Sequence, residues 1–194
     1  MDLPVDISWL GHASFRIKGE KTIYIDPYKI GNEEKADLIL ITHDHFDHYS
    51  EEDIAKISGP DTEIIGPKGG TVIGPNERLE RQGVTIETVP AYNLDKKFHP
   101  KENNWVGYII TVNNTRIYHA GDTDRIPEME GIKADIVMVP IGGTYTMDAE
   151  EAAEAVNLIK PEYAIPMHYG SVVGRKSDAD EFEELCECKV KRFD

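Results

Sequence analysis

Cysteine is scarce in this chain: two residues, Cys186 and Cys188, both close to the C-terminus. That scarcity excludes a disulfide-stapled scaffold. A structural zinc knuckle is excluded as well, because no further ligand lies near the pair in sequence. The two are read as reduced structural thiols, which would share a face if the segment were extended. Long apolar runs are missing too. None reaches the roughly 18–20 residues that a membrane span requires, so no membrane partner is expected. Positive charge is short: 21 Lys and Arg face 36 Asp and Glu, a net −15. Such a surface repels nucleic-acid phosphates and anionic lipids at long range, which favours a small-molecule substrate and no nucleic acid. The start, Met1-Asp2-Leu3-Pro4-Val5-Asp6, offers no basic segment before an apolar one, and a cytoplasmic location is expected. Low-complexity stretches and linkers are lacking, so residues 1–194 are expected to form a single domain. What remains is an ordinary globular composition, 40% hydrophobic and 29% charged, long enough for a sizeable core.

The pattern of apolar residues organises that domain. Asp6 to Leu10, Ser14 to Lys18 and Thr22 to Ile25 read as strands, with Gly19-Glu20 as a turn between the last two. Asp37-Leu38-Ile39-Leu40-Ile41 and Asp135-Ile136-Val137-Met138-Val139 are continuous apolar runs, the mark of strands covered on both faces. Glu63 to Gly66, Val84 to Val89 and Tyr163 to Pro166 read as further strands. Asn113-Asn114 is a hairpin turn between Trp105–Val112 and Thr115–Tyr118. Ser50 caps a short helix through about Ile57. Asp148, with Glu151 three residues on, opens the clearest helix, which Pro161 stops after Lys160. The chain also resembles itself. Thr22-Ile23-Tyr24-Ile25-Asp26, then Lys35-Ala36-Asp37-Leu38-Ile39, is echoed by Arg116-Ile117-Tyr118-His119, then Lys133-Ala134-Asp135-Ile136-Val137. Two similar halves are expected, each a strand, a loop carrying carboxylate, and a strand.

The chemistry concentrates after the first covered strand, in His43-Asp44-His45-Phe46-Asp47-His48. Neutral imidazole and carboxylate are the ligands that zinc and its neighbours accept. His43 and His45, at i and i+2, can face one point. The adjacent Asp47 and His48 can serve a second centre, and two metals roughly 3.5–4 Å apart are a hydrolytic arrangement. Asp26, at a strand end, either supports a ligating histidine or caps a turn. His119, inside a strand, reads as a packed histidine. Gly66-Pro67-Lys68-Gly69-Gly70 lacks the Gly-Lys-Ser/Thr ending of a phosphate loop and reads as a turn. Tyr145, after the second covered strand, is a candidate substrate contact.

These residues carry a resemblance. His43 to His48 is similar to the His-x-His-x-Asp-His signature of the metallo-β-lactamase superfamily. Ala120-Gly121-Asp122-Thr123 resembles its Gly-Asp-Thr element, and Met167-His168-Tyr169-Gly170 resembles its late strand-end histidine. Trp9-Leu10-Gly11-His12-Ala13-Ser14-Phe15 resembles the start of the branch that includes ascorbate-6-phosphate lactonases and many uncharacterised metal-dependent hydrolases. The likeness spans about residues 6 to 175. It implies an α/β fold, the four-layer αββα sandwich of the metallo-β-lactamase type. It also implies a first metal on His43 and His45, a second on Asp47, His48 and His168, and Asp122 bridging. One position departs: Asn93 stands in Val89-Pro90-Ala91-Tyr92-Asn93, where a third histidine for the first metal is expected. Asn93 binding weakly, His99 folding in, or a partly vacant first site are the alternatives.

The implied reaction is hydrolysis of a small ester, lactone or phosphoester by a metal-activated water. One or two divalent ions are expected, zinc first, with Mn, Ni or Fe as substitutes. Asp47 would orient the water, and His12 or a metal would assist the leaving group. An iron-binding redox protein on the same scaffold and a non-catalytic metal-stabilised binding module are the alternatives. The sequence leaves the oligomeric state open.

Overall fold

The computed structural model describes residues 3–193. Two sheets form from strands in sequence order. The first sheet runs β1 (Asp6–Gly11), β2 (Ser14–Lys18), β3 (Thr22–Ile25), β4 (Leu38–Leu40), then, after helix α1 (Glu51–Ile57), β5 (Glu63–Gly66) and β6 (Thr71–Val72). The second holds β7 (Arg78–Arg81), β8 (Val84–Pro90), β9 (Val106–Val112), β10 (Thr115–His119) and β11 (Ile136–Pro140). After helix α2 (Ala149–Ile159) it adds β12 (Tyr163–Met167), and after α3 (Lys176–Leu185) the short β13 (Lys189–Val190). Its spatial order is β13-β12-β11-β10-β9-β8-β7.

The layers follow from the two-residue period of a strand. In β4, Leu38 and Leu40 point between the sheets, while Ile39 packs outward with Ile54 and Ile57 of α1. In β11, Ile136 and Met138 point inward, while Val137 and Val139 meet Ala152, Val156 and Ile159 of α2 and Phe182 of α3. That is why both strands read as unbroken apolar runs. Helix, sheet, sheet, helix is the expected four-layer α/β sandwich, and burying each such Ile or Leu is worth about 1.5–3 kcal/mol.

The expected echo has a geometric counterpart. β3 pairs in parallel with β4 (Ile23 opposite Leu38), and β10 in parallel with β11 (Ile117 opposite Ile136). Asn113 and Asn114 adopt φ of 51° and 63°, the left-handed pair that a tight right-twisted hairpin requires. Ser50 accepts a hydrogen bond from Asp53 N, and Asp148 and Glu151 form a reciprocal capping box.

One expectation needs correcting. Cys186 and Cys188 do not lie along a strand: Cys186 caps the C-terminus of α3, and β13 begins only at Lys189. Both thiols are free and half-buried, and they hydrogen-bond each other, which pushes Cys186 up and Cys188 down.

Candidate metal centre

The strand ends of both sheets meet at one edge. There β9 starts by donating Val106 N to Thr42 O, joining the sheets just before the histidine loop. That loop leaves β4 and turns back on itself, with His48 N and Tyr49 N both donating to His45 O. Asp26, fully buried, ends β3 beneath it. Its Oδ1 accepts Thr42 N at 2.8 Å, and its Oδ2 accepts Thr42 Oγ1 at 2.6 Å and His48 Nδ1 at 2.7 Å. Both oxygens are committed, so Asp26 supports and does not face the centre. Thr42 Oγ1, having spent its proton on Asp26, accepts from His43 Nδ1 at 2.9 Å. One buried carboxylate thereby fixes the tautomers of His43 and His48, leaving a bare Nε2 on each.

The same logic sets His99. Its Nδ1 lies 3.1 Å from Asn93 Oδ1 and 3.2 Å from Tyr145 O, both acceptors. The proton therefore sits on Nδ1, and Nε2 presents a lone pair. Asn93 Oδ1 also accepts His99 N at 2.9 Å, while Asn93 Nδ2 donates to Asp124 Oδ1 and Tyr145 O. Asp124 is itself held by Leu94 N and Lys96 Nζ. The amide of Asn93 is thus fully engaged away from the other histidines. Of the alternatives the sequence leaves open, the structure places His99, folded in, beside His43 and His45.

Asp122 stands in the middle. Its Oδ1 lies 3.3 Å from His48 Nε2, and its Oδ2 lies 3.1 Å from His168 Nε2, 3.3 Å from His99 Nε2 and 4.0 Å from His43 Nε2. Gly121, at φ +66°, makes the turn that aims it; a Cβ there would meet Thr42 Cβ and Val106 O at 3.1 Å. On one side of Asp122 the ligand atoms of His43, His45 and His99 converge within 4.8 Å of one another. On the other, those of His12, Asp47, His48 and His168 do. His43 Nε2 and His45 Nδ1 are 3.1 Å apart. His12 Nε2 lies 3.0 Å from Asp47 Oδ2, and His12 O accepts His168 N. His12, Asp26 and His168 all hold positive φ, between 46° and 59°. Backbone strain at three non-glycine residues around one point is typical of a site whose geometry the surrounding fold enforces.

The electrostatics show what the arrangement wants. His48 Nε2, His99 Nε2, His168 Nε2 and Asp122 Oδ1 are all buried without a hydrogen-bond partner. Burial costs such groups about 1–3 kcal/mol each unless something binds them. Imidazole lone pairs aimed at a carboxylate and at each other, with no donor between, suit a divalent cation of the zinc type. Burial pushes Asp122 up, but His168 and His48 outweigh it and hold the carboxyl well below its usual range. Burial lowers His43 well below an ordinary imidazole, reinforced by His48. Burial also opposes charge on His48, yet Asp122 and Asp26 prevail and raise it.

A model of the beta-lactamase superfamily domain matches residues 6–168. The chain belongs to the metallo-β-lactamase superfamily. It is 38% identical to a UPF0173 metal-dependent hydrolase of Thermococcus onnurineus, over 93% of this chain and 92% of that protein. A crystal structure of a protein proposed to be a metal-dependent hydrolase, from Parabacteroides distasonis, superposes with a TM-score of 0.89 at 32% identity. It covers 97% of this chain and 92% of the other. Igni18, a metallo hydrolase from Ignicoccus hospitalis, gives 0.78 at 25% identity, with 98% and 95% covered. The chain is a metal-dependent hydrolase of this superfamily, and of the three readings open to the sequence this is the one its relatives carry.

Other residues of this metallo-β-lactamase homologue fall outside the cluster or were not signalled. His119 donates Nε2–H to Ala13 O and accepts Gly121 N on Nδ1, so it is a structural histidine. The Tyr145 ring packs edge-on against Phe98, and its backbone oxygen anchors Asn93 and His99. Trp105 lies 4.7–5.6 Å, ring to ring, from His45, His43 and His99. Neither Trp105 nor Asp124 stands out in sequence. A lone tryptophan opening a strand reads as core, and Asp124 reads as the tail of the Gly-Asp-Thr element.

Proposed function

We propose that this hydrolase cleaves a small ester, lactone or phosphoester with a metal-activated water. The observation that carries the reading is Asp122, buried between two groups of ligand atoms, with the Nε2 atoms of His48, His99 and His168 around it lacking any hydrogen-bond partner. His43, His45 and His99 would hold one divalent ion, and Asp47, His48 and His168 a second, with Asp122 shared. Zinc suits this nitrogen-rich set, and Mn, Ni or Fe would substitute. Bound cations would supply Lewis acidity and make hydroxide available near neutral pH. The chain's own residues do the rest. Asp26 and Asn93 keep His48, His43 and His99 in the tautomers that offer Nε2. Asp47 has Oδ2 tied to His12 and keeps its other oxygen to orient the attacking water. His12 sits across that hydrogen bond, placed to assist the leaving group.

The test is metal content per chain by mass spectrometry, with turnover of 4-nitrophenyl acetate, γ-butyrolactone and bis(4-nitrophenyl) phosphate on the same sample. Asp122→Asn and His48→Ala should each lower both readouts. If both variants kept full metal and full turnover, the reading would be wrong.

A further inference from the structure

A cavity of about 390 Å³ opens beside the centre, in the size range of small-molecule sites. Trp9 and Tyr169 form one wall, stacked with ring centroids 5.4 Å apart, and Tyr28 forms another. His12 lines it and also contributes a ligand atom to the group with Asp47, His48 and His168. His12 Nε2 touches Asp47, and the ring lies 4.0 Å, centroid to centroid, from His168. His12 Nδ1 is buried and has no hydrogen-bond partner.

The charge around this cavity runs against the rest of the molecule. Acidic residues outnumber basic ones 36 to 21 in the chain, yet no Asp or Glu lines the cavity among the described residues. Its cations are Lys29, Lys176 and Arg192. Arg192 is neutralised by Asp180 and Glu183. Lys29 Nζ meets only the Tyr28 ring, at 4.9 Å, and Lys176 Nζ has no carboxylate partner among the described residues. A locally positive mouth on a chain of net −15 concentrates small anions that the global field would turn away.

We infer that this cavity is the substrate-selecting pocket, and that it takes a compact molecule with a flat apolar body and one anionic group, a carboxylate or a phosphate. The body lies between the aromatic walls. The anion is answered by Lys29 and Lys176. The scissile bond reaches the metal ligands past His12, whose Nδ1 accepts a hydrogen bond from a polar group of the ligand. The inference rests on the proposed hydrolytic reading for that last step, but the pocket's chemistry stands apart from it.

The experiment therefore begins without catalysis. The metal-stripped protein and the zinc-loaded protein are each titrated calorimetrically with 6-hydroxy-2-naphthoate and with 2-naphthol, which differ by the carboxylate alone. The naphthoate should bind roughly fivefold more tightly at low ionic strength in both forms, since each exposed lysine contributes modestly. High salt should erase the preference. The surface double variant Lys29→Ala/Lys176→Ala should bind the two probes equally, with 2-naphthol unchanged. Equal affinities in the parent protein, a preference that survives in the double variant, or no binding of either probe would overturn the inference. Hydrolysis of 2-naphthyl acetate and of its carboxylate-bearing analogue, 6-acetoxy-2-naphthoate, then repeats the comparison during turnover, with the lower KM expected for the anionic ester. Loss of all turnover with the binding preference intact would sink the hydrolytic reading and leave the pocket standing.

Discussion

At the scale of single residues, the site is a set of proton assignments. Asn93 shows how a departure from a family pattern can be compensated. It does not replace a ligand; its carbonyl receives both N–H groups of His99 and turns that ring's Nε2 toward Asp122. Asn93→Ala should weaken metal binding at the His43, His45 and His99 group by about 10- to 100-fold, the usual effect of losing a partner behind a ligand. The other group should be spared; competition against a chromophoric chelator would read the two affinities. Asp26→Asn should be worse for the fold. An amide keeps only one accepting oxygen, so its Nδ2 would face either Thr42 N or the pair Thr42 Oγ1 and His48 Nδ1, a buried donor against donors. About 3 kcal/mol of stability should go, measurable by urea unfolding of the metal-free chain. The sequence marked His43, His45, Asp47, His48, Asp122 and His168 because adjacency and motif order are visible in one dimension. His99 was ambiguous and Asp124 unmarked because their roles come from one loop folding across another, which spacing does not encode.

At the scale of elements, what could be read depended on how many side chains each element buries. β4 and β11 bury every residue, and α2 buries six with a capping box at its start. These announce themselves. α3 buries only Ala179 and Phe182, and β7 and β13 are edge strands with no fully buried residue. Their placement comes from neighbours, so residues 176–190 show no pattern of their own beyond the misplaced cysteines. The caps are testable as local devices. Asp148→Ala removes the acceptor of Glu151 N at an exposed helix end that belongs to neither group of ligand atoms. It should cost about 1 kcal/mol in thermal or chemical unfolding and leave turnover unchanged. Gly121→Ala should reach beyond stability. Its left-handed backbone and 3.1 Å neighbours would cost about 2 kcal/mol and would also disturb metal content, because the next residue is Asp122.

At the scale of the whole molecule, every buried layer holds a phenol as well as aliphatics: Tyr108 between the sheets, Tyr24 on the α1 side and Tyr118 on the α2 side. We propose that residues 1–194 are one domain of two similar halves, supported by the matching β3–β4 and β10–β11 pairs. Burial pushes Tyr24 up to about 12, and pushes Tyr108 and Tyr118 up as well. Unfolded tyrosines lose their proton near 10. A raised folded value means that stability present below pH 10 is lost as pH climbs toward 12, by about 1.4 kcal/mol per unit for each such phenol. Tyrosinate absorbance of these groups should therefore appear together with loss of near-ultraviolet circular dichroism. If they titrated near 10 in a folded chain, the packing described for them would be wrong. Among the described residues no helix is long and apolar enough to cross a membrane.

The ligand groups draw on both sheets, and the chain supplies them in a fixed order. His43 to His48 leave the ribosome early, His99 and Asp122 follow, and His168 comes last. A nascent chain showing only the first loop offers a crowd of imidazoles with no bridging carboxylate and no closing partner. It can meet a passing ion only weakly. On the proposed ligand set, full affinity would arrive only when β12 docks beside β11 and brings His168 to Asp122. Metal capture would thereby wait until β12 has been made, and a product truncated before His168 would hold an ion only weakly.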